Sequence, residues 1–451
     1  MTDVLARLVA ELGDAVVTDA VALSIAQADK SGHRSASAPL ALVSARSIAD
    51  VQTVLRIATE TGTPVVTRGA GTGLAGGAIA SGGEIVLSTM AMNRVLEINE
   101  ADQLAVVEPG ILNGRFNEIL GERGFWFAPD PASKAISTVG GNIATNAGGL
   151  LCAKYGVTRD AVLGLKVVLA DGRLLDLGHR SVKGVTGLDL TALMVGSEGL
   201  LGVIVEATVR IRRAVPGVVA TIASYFPSVT DAAAAAAAIT AAGIQPSVME
   251  LMDSASLEAV STLLSLPGIT TGEAHLVVQT DGPAAQQEAD AALAILHSLG
   301  GRASLSTDPV EGERLLAVRR SMHPAMERLG TTLIEDVSVP RTALPAMFAE
   351  IVRIEQRYGI RIPTVAHAGD GNLHPNFIFE GTEVPDMIWQ AADELFATAL
   401  RLGGTLTGEH GIGILKKRWL GLELGDDQLD LQRQIKRVFD PQGILNPGKV
   451  F

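Results

Sequence analysis

PVVTRGAGTGLAGGA, residues 64–78, is the stretch whose reading decides the fold. An apolar strand runs into a loop with glycines at 69, 71, 73, 76 and 77. Glycine lets a backbone turn sharply and aim its N–H groups at a ligand, and a pyrophosphate is a common occupant of such a nest. Residues 71–76, GTGLAG, satisfy the G-x-G-x-x-G spacing of a dinucleotide fingerprint. That fingerprint requires a helix directly after the loop. Here AIASGGEIVLST, residues 78–89, follows and reads as turn and strand. The loop is therefore expected to hold phosphate outside a Rossmann βαβ unit, and a tight structural turn is the competing reading.

Outward from this loop, short apolar runs alternate with glycine-rich turns from about residue 40 to 215. LALVS (40–44), EIVLST (84–89), QLAVVEPG (103–110), LGLKVVLADGRLLDLG (163–178) and GVIVEATVRIRR (202–213) read as strands. SIADVQTVLRIATETG (47–62) has helical spacing and stops at Gly62. Two more glycine-rich polar segments follow. They are PDPASKAISTVGGNIATNAGG (129–149) and GVTGLDLTALMVGSEGLLGVIVEATVRI (184–211). Three such segments within 150 residues suit one extended dinucleotide better than three unrelated turns. Near residue 215 the texture changes to strands alternating with Ala-rich helices.

Together these segments resemble the FAD-binding domain of the vanillyl-alcohol-oxidase (PCMH) type. The resemblance implies an α+β fold with three parts. Residues 1–215 would be the FAD-binding domain, including an N-terminal helical stretch 1–35. Residues 216–415 would be an α/β, ferredoxin-like substrate or cap domain. Residues 416–451 would be a helical C-terminal segment returning to the FAD domain. It further implies that Arg68, Gly69, Ala70, Gly71, Thr72, Gly73, Leu74 and Gly77 cradle the phosphates. Asp130, Ser133, Thr138, Gly141, Asn142, Asn146, Gly148, Ile204 and Asn446 would line the rest of the cofactor. Some relatives tether FAD through His or Cys. The first segment has no His, and the single cysteine, Cys152, lies after the second segment's glycines. Non-covalent FAD is expected, with Cys152 a small buried side chain.

HAGDGNLHPN, residues 367–376, places two of only eight histidines seven apart, astride Asp-Gly. Asp-Gly is a two-residue hairpin signal. Centring the loop on Asp370-Gly371 makes His367 and His374 direct cross-strand partners, with Cβ atoms about 4.5–5.5 Å apart. Two imidazoles there can share one metal at about 2.0–2.1 Å. Chance flanking of a turn is the bland alternative. TGEHGIG (407–413) supplies a carboxylate and a neighbouring base, Glu409 and His410, in a loop too glycine-rich to need charge for folding. Two His and one carboxylate form a recurrent divalent-metal set.

H-x-G-D-G-N-x-H followed by G-E-H-G-I-G resembles the substrate domain of FAD-linked D-2-hydroxy-acid dehydrogenases. That family includes D-lactate dehydrogenase, the flavin subunit of glycolate oxidase and D-2-hydroxyglutarate dehydrogenase. The resemblance implies that His367, His374 and Glu409 bind zinc, or manganese or iron, and that His410 is the base. Asn372 would touch substrate. Arg319, the first Arg of LLAVRRSMHPAMERLG (315–330), would fork the substrate carboxylate, and Arg320 would be a surface residue. The implied reaction oxidises a D-2-hydroxy acid to the 2-oxo acid, with substrate chelated to metal and hydride passing to flavin N5. Glutarate-type enzymes carry a Lys before the segment matching DVSVP. Here Ile334 and Glu335 stand in LIEDVSVP (333–340), which favours lactate, glycolate or another monoacid. The alternatives are a D-2-hydroxyglutarate dehydrogenase, a non-redox FAD transferase of the alkylglycerone-phosphate-synthase type, and a non-catalytic subunit.

Composition agrees. The 451 residues are 47% hydrophobic, and the net charge of −13 with no basic block argues against nucleic acid or an anionic membrane. A lone cysteine rules out an internal disulfide and suits a reducing compartment. MTDVLARLVAELGD reads as an amphipathic helix and not a signal peptide. The longest uncharged run, 232–249, is broken by Gly243 and Pro246. A cytoplasmic protein is expected. The electron acceptor (quinone, cytochrome, electron-transfer flavoprotein or oxygen) and the oligomeric state, a homodimer among the options, are left open.

Overall fold

The computed structural model describes residues 2–265, 272–381 and 383–451. The chain forms two compact units. The first comprises residues 1–149, 156–214 and 409–451, and the second comprises 150–155 and 215–408. The chain thus leaves the second unit at Gly408, where a boundary at 415 was expected. The short segment Leu150–Tyr155 also belongs to the second unit, inside the stretch assigned by sequence to the first. Its fastening is specific: Lys154 Nζ donates to Asp281 Oδ1 at 2.5 Å, and the Tyr155 hydroxyl donates to Asp281 Oδ2 at 2.5 Å. Among the described residues, no helix is long and apolar enough to cross a membrane.

The first unit holds two principal sheets. In one, Ala41–Ser44, Ile85–Ser88 and Val65–Arg68 run parallel, in that order, with Val16–Val17 antiparallel on the outer edge. The helix Ile48–Thr61 covers it. Ser47 caps its first turn by accepting from Asp50 N, Gly62 ends it at φ 63°, and Val51, Val54, Leu55 and Ala58 form its buried stripe. The other sheet is antiparallel, in the order Val95–Asn99, Leu104–Val107, Val203–Arg210, Val162–Val168, Leu174–Gly178. Near the C-terminus, the Leu420–Phe439 helix leads to Ile444–Asn446. These residues lie parallel to the Val65–Arg68 strand: Val65 N donates to Ile444 O, and Asn446 N donates to Val65 O, both at 2.8 Å.

The second unit is built on one antiparallel sheet. Its order is Arg302–Ser306, Val219–Phe226, Ala274–Asp281, Val248–Met252, Thr364–His367, Asn372–Phe379, Thr331–Ile334. The first four lie in chain order 4-1-3-2, the split β-α-β arrangement of ferredoxin-like folds. The Ala-rich run forms the helix Val229–Ala241, capped by Ser228, and it buries Ala232, Ala233, Ala235, Ala236 and Ile239.

One buried group in this sheet makes stability pH-dependent. His275 is fully buried, and burial lowers its pKa from 6.5 to about 4. The unfolded chain therefore binds a proton between those values that the folded chain refuses, so this residue's contribution to stability falls as pH drops from 6.5 to 4. The whole span corresponds to about 3 kcal/mol. Asp253, raised to about 7 by burial, acts in the opposite direction. His275→Leu removes only the first effect. Relative to wild type, the variant should gain stability steadily from pH 7 to pH 4. Parallel curves in denaturant titrations at pH 7, 6, 5 and 4 would show that His275 takes up its proton without unfolding.

Candidate active site and cofactor loops

Side-chain positions in the second unit follow from strand register. Glu250 lies opposite His367, and His367 lies opposite Asn372. Three polar side chains from neighbouring strands thus share a row on one face of the sheet. The expected two-residue hairpin, which would set His367 against His374, is corrected: the loop is residues 368–371, and His374 pairs with Val365. Asp370 N and Gly371 N both donate to His367 O, at 3.2 and 2.9 Å, and Asn372 N donates to Asp370 Oδ1. Gly371 adopts φ +91°, and a Cβ there would strike Val339 O. The histidines still meet, because residues two apart on a strand face the same side. His374 is the diagonal neighbour of His367, with ring centroids 5.1 Å apart and planes at 84°.

Glu250, which sequence reasoning missed, organises this row. It is 1% exposed. Its Oε1 lies 2.6 Å from His367 Nδ1, and its Oε2 lies 2.8 Å from Arg319 Nε. A carboxylate on Nδ1 fixes the imidazole with Nε2 facing outward, the arrangement used behind metal-ligating histidines. The helix Pro309–Arg320 presents Arg319 to it, held by Val318 packing with Met252 and Val365. Arg319 is therefore not an isolated anchor: its Nε is engaged by Glu250, and the two Nη groups form the end that can fork a carboxylate. Arg320 pairs with Glu313 on the exposed side of the helix, as expected of a surface residue. The Asn372 amide donates to Asp336 Oδ1 at 2.5 Å and to Val337 O at 2.9 Å. That leaves its Oδ1 as the atom available to a substrate hydroxyl. Asp336 also accepts from Thr407 Oγ1 at 2.5 Å and lies 3.9 Å from His374 Nδ1.

Glu409 follows Gly408 directly, and a Cβ on Gly408 would collide with the Asn372 amide. His367, His374 and Glu409 each bring a ligand atom within 4.8 Å of the others. Two buried imidazoles and one carboxylate form a donor set that fits a divalent ion of the zinc, manganese or iron type.

In the first unit, the 68–77 loop forms a cradle. Gly71 and Gly76 adopt φ +69° and +81°. A Cβ on Gly69 would strike Thr138 Oγ1, and one on Gly71 would strike the Arg68 guanidinium. Such crowding suits backbone that must approach a phosphate closely. Thr138 caps the helix Val139–Thr145 by accepting from Gly141 N. The Asn142 amide is held inside by Ser137 and Asn113. Asn146 ends the helix at φ 51° and accepts from Arg159 N. Gly148 backs onto Glu409 and Gly149 onto Asp130. Ser133 is half-buried with its carbonyl accepting from Ile136 and Ser137. Ile204 is a buried member of the antiparallel sheet's core. Asn446 donates to Gly77 O and Glu198 O, while its buried Oδ1 has no hydrogen-bond partner among the described residues. Cys152 is half-buried, more open than expected.

Glu198, in the GSEG of the third glycine-rich segment, was also missed. Its carboxylate accepts from Ile412 N at 2.8 Å and Gly413 N at 2.9 Å. It thereby fixes the loop just after His410. Burial raises its pKa, and those two backbone donors and Lys416 pull it down.

Family models match two segments: the FAD binding domain over residues 39–178 and the C-terminal domain of FAD linked oxidases over residues 215–450. The chain belongs to the FAD-linked oxidase family and is an FAD-linked oxidoreductase. It is 39% identical to the glycolate oxidase subunit GlcD of Bacillus subtilis, over 92% of this chain and 89% of that one. It is 36% identical to a D-lactate dehydrogenase of Archaeoglobus fulgidus, over 89% of each, and 32% identical to a D-2-hydroxyglutarate dehydrogenase of Stutzerimonas stutzeri, over 97% and 96%. Among solved structures, p-cresol methylhydroxylase superposes with TM-score 0.78 at 19% identity, covering 100% of this chain and 96% of that one. An alkyldihydroxyacetonephosphate synthase gives 0.77 at 18%, covering 99% and 86%. These two share the fold.

Proposed function

We propose that the protein oxidises a D-2-hydroxy monocarboxylate, of the lactate or glycolate kind, to its 2-oxo acid. The observation that carries this reading is the His367–His374–Glu409 donor set, with His367 oriented by Glu250. A redox-neutral transferase of the same fold has no evident need of that set. In the proposed mechanism the Arg319 Nη groups take the substrate carboxylate. Asn372 Oδ1 accepts from the C2 hydroxyl before it ionises. His410 then takes the hydroxyl proton, a task suited to an imidazole near neutral pH. A divalent ion on His367, His374 and Glu409 would supply Lewis acidity that lowers the hydroxyl pKa. FAD in the glycine cradle, held without a covalent link, would supply the two-electron acceptor for the C2–H bond. Glu335, buried in the segment LIEDVSVP, offers no cation to a second carboxylate, which favours a monoacid over 2-hydroxyglutarate.

The test is anaerobic addition of D-lactate, L-lactate, glycolate and D-2-hydroxyglutarate to the FAD-loaded protein. A D-2-hydroxy monoacid should bleach the flavin absorbance, and prior treatment with a chelator should block it. Flavin that none of the acids bleaches would sink the reaction while leaving the family intact.

A further inference from the structure

We infer that Lys449 joins Arg68 in seating the pyrophosphate of FAD, so that the chain's NPGKVF segment is part of the cofactor site. This rests on the FAD reading above and extends it to a residue no motif singled out. Lys449 is 4% exposed and Arg68 is 8% exposed. Among the described residues neither makes an ion pair. Arg68 Nη1 donates to Ala78 O at 2.8 Å, and the Lys449 ammonium has no hydrogen-bond partner there. Two buried cations that make no ion pair, with Asp29 and Glu84 acting on them only from a distance, are unfavourable in the apoprotein. They become favourable when a dianion arrives.

The backbone brings them to the same loop. Val65–Arg68 and Ile444–Asn446 run side by side in parallel, with Val65 bridged to Leu445. Arg68 lies three residues beyond that bridge on one strand and Lys449 four beyond it on the other. The Arg68 guanidinium tucks under Gly71, where a Cβ would collide with it. Lys449 is pinned from both sides: Gly448 turns at φ +77°, and Val450 N donates to Gly413 O at 2.8 Å. Gly413 in turn is packed against Ala75 and Gly77 of the glycine loop. Burial holds both cations below their ordinary pKa values; Glu84 and then Asp29 oppose this at Lys449, and Asp29 opposes it at Arg68. Asp29 Oδ2 is buried without a hydrogen bond and lies 3.8 Å from the Cβ position of Gly73. Neither Asp29 nor Glu84 closes to an ion pair with Arg68 or Lys449 among the described residues, so both cations keep donors for a dianion beside the glycine N–H groups. Lys449 also borders an open concavity with His33, Arg34, Ser81 and Glu84.

The experiment is FAD uptake by the apoprotein, followed by flavin fluorescence over a range of salt concentrations. Lys449→Gln should weaken FAD binding tenfold or more and flatten its salt dependence. Lys449→Arg should recover most of both. ADP, which carries the same pyrophosphate, should displace FAD better than adenosine does from wild type, and Lys449→Gln should narrow that gap. Thermal melting of the apoproteins separates lost binding from lost folding. Wild-type affinity and an unchanged salt slope in Lys449→Gln would overturn the assignment. So would a loss with the ADP–adenosine gap intact, because Lys449 would then act only through the fold. A wild-type apoprotein that takes up no FAD would instead bring down the FAD reading, and this inference with it.

Discussion

His410→Ala should leave FAD bound and the fold intact while slowing substrate reduction of the flavin by a factor on the order of 10²–10⁴, the usual worth of a positioned general base. The expectation rests on placement. His410 sits between Glu409 and Gly411, and the loop just after it is clamped where the Glu198 carboxylate accepts from Ile412 N and Gly413 N. The backbone carrying the proposed base is thus fixed by a half-buried carboxylate 214 residues away in sequence. Removing the imidazole leaves that clamp untouched, so the loss should be chemical and not structural. Anaerobic stopped-flow at 450 nm reads it directly. The wild-type rate should fall at low pH as the base is protonated, and the variant should lose that inflection. A variant that reduces its flavin at the wild-type rate would move the base elsewhere, and Glu409 would be the first group to examine.

The glycine-rich loops and the H-x6-H pair were legible in the sequence because each is a local pattern. The loop 68–77 could be recognised by its glycines and excluded from a Rossmann unit by the strand after it. The pairing of His367 with His374 was inferred from the right spacing through the wrong register. Asp-Gly suits a two-residue turn, but here it closes a four-residue loop, because Gly371 is pressed against Val339 and both loop N–H groups turn back to His367 O. Same-face alternation brought the rings together anyway. Glu250 and Glu198 were not legible. Each acts on at least one residue more than a hundred positions away, and only strand pairing or loop contact reveals it. Glu250 did leave a trace, as a lone carboxylate between Met249 and Leu251 in a wholly buried strand. A buried charge in such a strand needs a partner, and that alone should prompt a search for one. The boundary at Gly408 was hidden because the glycine-rich TGEHGIG reads as one loop, although the chain changes units inside it.

Metal should depend on the site in graded fashion. His367→Ala removes one member of the proposed three-residue donor set, and bound metal and turnover should both fall to near background. His374→Ala should behave alike, since its ring lies 5.1 Å from that of His367. Glu250→Gln is the informative comparison. The amide can still reach His367 Nδ1 but no longer carries the charge that raises the ring's basicity and balances Arg319. Loss of such an outer partner typically costs about 10–100-fold in metal affinity or activity. Glu250→Gln should therefore keep metal when the ion is in excess and lose it on dialysis, while the wild type retains it. Arg319, freed of its carboxylate, should at the same time bind substrate carboxylate more tightly, so KM falls even as kcat drops. Metal content by elemental analysis, before and after dialysis, together with the two kinetic constants, distinguishes the cases. If Glu250→Gln matches wild type in all three, Glu250 is a structural counter-ion for Arg319 alone. If His367→Ala keeps full metal occupancy, the ion is held by other residues, and the arrangement of His367 on Glu250 serves the substrate directly.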